Sequence, residues 1–158
     1  MREEVDPEVN LPVPAYLPEE YLPDLSLRLI FYKRLAEART EGELDDLRAE
    51  LRDRFGEAPL EVDRLFALMA IKVRLRRLGM RALESGPRGL ILTLGPQVRL
   101  SPAAIARFVQ EGQGKRRLTP QMKLVIGFGR EKPRVEELFE DCHRLLDEMD
   151  RLETVPES

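Results

Sequence analysis

The side chains with the most chemistry in a short span lie between Thr40 and Gly56: Glu43, Asp46, Glu50, Asp53 and Arg54. On a helix, at about 100° per residue, these five fall together on one flank, whereas Arg48 and Arg52 fall on the other. Clustered like charge repels itself unless something positive sits opposite, so an acidic flank holding a single arginine has the chemistry of a docking face for a basic partner. The simpler reading is a solvated surface on which Glu50 and Arg54 form an i,i+4 pair contributing about 0.3–0.5 kcal/mol.

Elsewhere the residue types that perform catalysis are scarce. His143 is the single histidine and adjoins Cys142, the single cysteine. Neighbours on a helix point about 100° apart, so these two are not a facing nucleophile and base, and alone they do not supply a tetrahedral metal site. The glycine pairs Gly112-Gln113-Gly114 and Gly127-Phe128-Gly129 lack both the lysine-serine ending of a phosphate loop and the third glycine of a dinucleotide fingerprint, so turn geometry accounts for them. No catalytic, cofactor-binding or metal-ligating residue is assigned.

The charged flank needs a helix to carry it. Thr40-Glu41-Gly42-Glu43 is a capping box in which the threonine hydroxyl accepts from the amide of Glu43 and the carboxylate of Glu43 returns to the amide of Thr40. Gly56 closes the helix through a left-handed residue, and Pro59 prevents simple continuation. Between these signals Leu44, Leu47, Leu51 and Phe55 form a narrow apolar stripe that must face a core.

The pattern predicts a preceding helix over about Leu25 to Ala38, opened by Asp24 or Ser26, and a following one from Pro59 to Leu78, stopped by Gly79. The period then changes. Met80 to Ser85 and Leu90 to Leu94 read as a hairpin turned by Gly86-Pro87, with Val98 to Leu100 joining it. Ser101-Pro102 opens a short helix to about residue 110, Arg117-Leu118 and Met122 to Phe128 read as strands, and a last helix runs from about Pro133 to Leu152. The class is α+β: an N-terminal three-helix group, a small antiparallel sheet with one enclosed helix, and a C-terminal helix.

A chain of 158 residues supports one domain with tails, placed here at 24–152, with a proline-rich extended arm at 1–23 and a tail at 153–158. Pro7, Pro12, Pro14, Pro18 and Pro23 exclude a helix from the arm, and Val9, Leu11 and Val13 suit a sheet edge, its first few residues being disordered. In a longer parent this arm is the connection. No apolar run approaches the roughly 20 residues of a membrane span, the N-terminus has no signal-peptide core, and one cysteine excludes an internal disulfide, all of which fit the cytoplasm.

The net charge of −3 hides an uneven distribution. Residues 1–24 hold seven acids and one base, residues 131–158 ten acids and four bases, and residues 72–130 thirteen bases and two acids. The basic middle, with Lys72, Arg74, Arg76, Arg77 and Arg81 and then Lys115, Arg116 and Arg117, raises nucleic-acid binding as an alternative function. It lacks interleaved exposed aromatics, and acidic termini folded over it balance the charge internally.

Glu50 to Gly56, ELRDRFG, follows ARTEGEL and, earlier, SLRLIFYKRLAEA. From about Val9 to the last helix the chain resembles the C-terminal domain of bacterial transcription-repair coupling factors. The resemblance implies a non-catalytic regulatory domain of a large DNA translocase that uses ATP and magnesium, displaces stalled RNA polymerase and recruits the excision-repair protein UvrA. It further implies that the domain folds back on the UvrB-like N-terminal module of the same protein and masks its UvrA-binding surface, with no cofactor of its own and as a monomer when isolated. Carried over by motif position, Glu50, Asp53 and Arg54 make that contact, and Arg52 has no role.

Overall fold

The computed structural model describes residues 6–129, 131 and 133–152. Among these the order is β1 (Glu8–Asn10), α1 (Leu25–Glu37), α2 (Glu41–Phe55), α3 (Leu60–Leu78), β2 (Met80–Ser85) and β3 (Gly89–Leu94). There follow α4 (Pro102–Glu111), β4 (Arg116–Leu118), β5 (Lys123–Gly127) and α5 (Val135–Arg151). The backbone gathers into two compact units, Val13–Val73 and the described parts of Met1–Pro12 with Arg74–Ser158. The division falls inside α3.

The Val13–Val73 unit is helical. Asp24 caps α1, its carboxylate accepting from the amides of Ser26 at 2.8 Å and Leu27 at 3.3 Å. Thr40 caps α2 through Glu43 N at 3.1 Å, as the capping box requires, but the Glu43 carboxylate takes the amide of Arg39 at 2.7 Å, one residue earlier than the expected Thr40. Leu44, Leu47 and Leu51 are buried and pack in one cluster with Phe31, Leu35, Val62, Leu65 and Phe66, with Phe55 partly buried against it. Gly56 has φ 86° and ψ −165°, so it closes α2 in the extended mirror-image region that only glycine visits freely, not in the left-handed helical well expected.

Residues 13–23, read above as part of an arm, belong to this core. Leu17 and Leu22 are buried within it, and the amide of Leu17 donates to the Tyr32 hydroxyl at 2.7 Å. The expected disorder of the first few residues and the tail at 153–158 lie outside the described residues.

The second unit is built on a five-stranded sheet of order β1-β2-β3-β5-β4. Antiparallel pairing joins β2 to β3, β3 to β5 and β5 to β4, with Leu83 opposite Leu92 and Leu92 opposite Leu124. The sheet is nevertheless mixed, because β1 adds a parallel edge with Val9 opposite Leu83. A strand so distant in sequence from β2 is not limited to hairpin pairing. Residues 98–100 form only a single bridge at Leu100 and no strand, the amide of Arg99 donating instead to Leu78 O at 2.9 Å. Ser101 caps α4 through Ala104 N at 3.1 Å, and α5 buries Leu138, Cys142, Leu145, Leu146 and Met149 along one stripe.

Gly79 ends α3 at φ 74°, and a Cβ there would collide with the backbone carbonyl of Gln97. Both the positive φ and the close approach demand glycine. Gly79→Ala is therefore expected to lower stability by about 1–3 kcal/mol, read as a lower urea midpoint at unchanged m.

Candidate functional site

Burial of the leucine stripe turns the opposite side of α2 to solvent. Asp53 and Arg54 are exposed and Glu50 is half-buried. These three do not stand alone. Arg34, from α1, donates to both oxygens of Glu50, through Nη1 at 2.8 Å and Nη2 at 3.0 Å, and Arg54 Nη1 reaches Oε2 at 3.3 Å. The i,i+4 pair anticipated from spacing is present, but the stronger, bidentate partner comes from another helix.

Aromatic rings support both guanidiniums from behind. Arg34 Cζ lies 5.2 Å from the Phe31 centroid, and Arg54 Cζ lies 5.8 Å from Phe31 and 5.2 Å from Phe55. The two rings meet edge to face at 6.3 Å. Two cations thus flank one carboxylate over an aromatic floor. A carboxylate offers about four acceptor positions, and Glu50 has three filled, so its remaining capacity for an outside cation is small. Asp53 differs: among the described residues no ion-pair partner faces it. The expected grip of two free carboxylates therefore reduces to one free acid, Asp53, beside a closed Arg34–Glu50–Arg54 triad.

Arg34 escaped the spacing argument, because periodicity within α2 says nothing about α1. Its local signal was the i,i+3 relation to Phe31. The other residues of the flank have different employment: Glu43 serves the α2 cap, and Asp46 is exposed. On the far side Arg48 pairs with Asp63 at 2.8 Å and lies 4.6 Å over Phe66.

α1 also carries three large apolar side chains facing solvent: Leu25, Leu29 and Ile30 are 59%, 60% and 51% exposed. Ile30 is one turn from Arg34 and so adjoins the charged triad, whereas Leu29 and Leu25 lie roughly 140° and 180° round the helix from Arg34. The buried positions of α1 are Phe31 and Leu35, and Ile30 beside Phe31 is turned outward.

In the sheet-containing unit three arginines of the basic middle find internal acids. Arg74 bonds Asp147 at 2.7 Å and Asp150 at 2.8 Å, and Arg76 bonds Asp6 at 3.2 Å. Arg116 stacks 3.9 Å from the Phe108 centroid, donates to Phe108 O at 2.9 Å and meets Glu148 at 3.0 Å. These guanidiniums are 13–19% exposed, and each is bonded to an acid within the unit. Cys142 is buried, with its thiol pushed up to about 12 by burial, and the partly buried His143 has its pKa lowered first by desolvation and then by Arg74. Among the described residues no cluster of His, Cys, Asp and Glu could hold a metal ion, and no described helix is long and apolar enough to cross a membrane.

The geometry defines an α+β domain whose distinguishing surface is a charged and apolar face shared by two helices. The chain belongs to the TRCF domain family, whose model matches residues 11–105. It is 47% identical over 122 residues to the transcription-repair-coupling factor of Myxococcus xanthus, covering 77% of this chain and 10% of that protein. Against the Escherichia coli K12 protein of the same name it is 33% identical over 131 residues, covering 82% and 11%. The chain thus spans about a tenth of the length of these curated relatives. A crystal structure of the C-terminal domain of transcription-repair coupling factor superposes with a TM-score of 0.71 at 21% identity, covering 94% of each chain, which establishes the shared fold.

Two outcomes are expected. Arg34 holds the Glu50 carboxyl below its usual range, first by hydrogen bonding. The contribution of this pair is therefore full above the ordinary carboxylate pKa and is lost as pH falls through the depressed folded value. A double-mutant cycle with Arg34→Met and Glu50→Gln should give a coupling of about 0.2–1 kcal/mol at pH 7 and low salt, shrinking toward zero on acidification. Cys142, buried and protonated, should not react with a thiol reagent at pH 8 until denaturant unfolds the chain.

Proposed function

We propose that this domain is a non-catalytic regulatory module of a transcription-repair coupling factor. It docks through the exposed face of α1 and α2 onto the UvrB-like module of the same longer protein and masks the surface that binds UvrA. The parent, on this reading, is a cytoplasmic ATP- and magnesium-dependent translocase that acts on DNA and RNA polymerase. The observation that carries the reading is Asp53, without an ion-pair partner among the described residues, on the same helix as Glu50 and Arg54 of the Arg34–Glu50–Arg54 triad, with the exposed Ile30 one turn from Arg34.

Each element has a separate task. Asp53 offers a carboxylate to a basic group opposite, and Arg54 and Arg34 present guanidiniums to an acid, so the face recognises register as well as net charge. Glu50 holds the two guanidiniums in place, which lowers the side-chain entropy lost on docking. Exposed ion pairs contribute only about 0.2–1 kcal/mol each, which suits a contact that must open. A preference of a few kcal/mol hides a site most of the time and still leaves it releasable.

Asp53→Lys isolates the docking role, because Asp53 takes part in no described ion pair. Made in the full-length protein, it should increase UvrA binding by about tenfold while the thermal midpoint of the domain stays unchanged. UvrA binding equal to that of the unsubstituted protein, with the domain folded, would overturn the clamp.

A further inference from the structure

A second surface of the Val13–Val73 unit takes no part in that face. The proline-rich segment and the turn between α2 and α3 enclose an open groove of about 360 Å³. Tyr16, Tyr21, Pro18 and Pro59 form much of its wall, and three acidic residues, Glu20, Glu57 and Glu61, also line it.

The groove is built rather than incidental. The Tyr21 hydroxyl donates toward two carbonyls at the end of α2, Gly56 O at 2.9 Å and Leu51 O at 3.3 Å, and its ring meets Phe55 edge-on at 6.0 Å. Burial raises its phenol above the ordinary value, so it remains a donor at neutral pH. Tyr16 N donates to Glu61 O at 3.2 Å, tying the two sides together, and Tyr16 as a residue is 46% exposed.

None of the three carboxylates forms an ion pair among the described residues, although Arg52 acts on Tyr21 from nearby. Nor do the three converge on one point, since among the described residues no cluster of three acids could hold a metal ion. Carboxylates spread round an aromatic groove do not suit a point charge. They suit a planar, delocalised cation that stacks on a ring face while its several N–H groups reach acceptors in different directions. The apolar walls accommodate the methylene stem of such a side chain. Phosphate backbones and anionic lipid are repelled by the same three acids.

We propose that this groove docks an extended, arginine-containing basic segment of a partner protein, with a guanidinium laid against Tyr16 and bonded to the surrounding carboxylates. The inference is independent of the clamp, which lies on the α1–α2 face.

The test is a ¹⁵N amide titration of the 158-residue chain with an amidated peptide of alternating glycine and arginine, beside lysine-for-arginine and glutamate-for-arginine versions. Saturable shifts are expected at residues 16–21 and 57–61 with the arginine peptide, weaker ones with lysine and none with glutamate. The triple variant Glu20→Gln, Glu57→Gln, Glu61→Gln should weaken binding about tenfold, and Tyr16→Leu should narrow the preference for arginine over lysine. Asp53→Lys should leave these shifts in place, so the groove and the clamp can fail separately. Shifts mapping elsewhere, a triple variant within about twofold of the original, or equal weakening by Asp45→Asn with Asp46→Asn, which marks a generic acidic field, would each overturn the proposal. So would shifts at the groove that grow with protein concentration alone and track a dimer in sedimentation, since the occupant is then a second copy of this chain.

Discussion

Burial of Leu44, Leu47 and Leu51 is the constraint from which the helical unit takes its form. A helix is a rigid protractor: once three leucines are committed to the core, every other residue of α2 has its direction assigned. Glu50 and Arg54 then face α1, Asp53 faces water, and Arg48 faces α3. Fully burying one leucine side chain contributes about 1.5–3 kcal/mol, several times the value of any exposed ion pair on the same helix. The apolar stripe sets the geometry and the charges inherit it.

That ordering of magnitudes explains why the surface of α2 can be used for recognition. The triad of Arg34, Glu50 and Arg54 contributes little to holding the unit together, so its partners can be exchanged without endangering the fold. What it does supply is position. Phe31 and Phe55 beneath the two guanidiniums restrict their rotamers, and the central carboxylate separates like charges that would otherwise repel.

The two units handle charge in different ways. In the sheet-containing unit, arginines of the basic middle segment meet acids from the two ends of the chain: Arg76 with Asp6, and Arg74 with Asp147 and Asp150. The uneven charge along the sequence is a set of complementary strips that the fold brings into register. Guanidiniums bonded in this way are poorly placed to neutralise phosphates, which weakens the nucleic-acid alternative. In the helical unit, by contrast, Glu20, Glu57, Glu61 and Asp53 form no ion pair among the described residues, and a surplus of one sign at a surface is a specification for what can approach it.

Local chemistry made most of the elements legible in advance. The caps at Asp24, Thr40 and Ser101, the stop at Gly79 and the stripe of α2 follow from interactions among residues within four positions of each other, and such interactions are written in the sequence. So were the α+β class, the resemblance of ELRDRFG and its neighbours to the family, and the single flank that gathers Glu50, Asp53 and Arg54. What depends on contacts between distant segments was not legible. The parallel pairing of β1 with β2, the burial of Leu17 and Leu22, the outward turn of Ile30, and above all the arrival of Arg34 on Glu50 are settled by which elements pack together. Periodicity reports which face of a helix is polar, but whether a carboxylate on that face is free or already held depends on a neighbour that the periodicity of one helix cannot see.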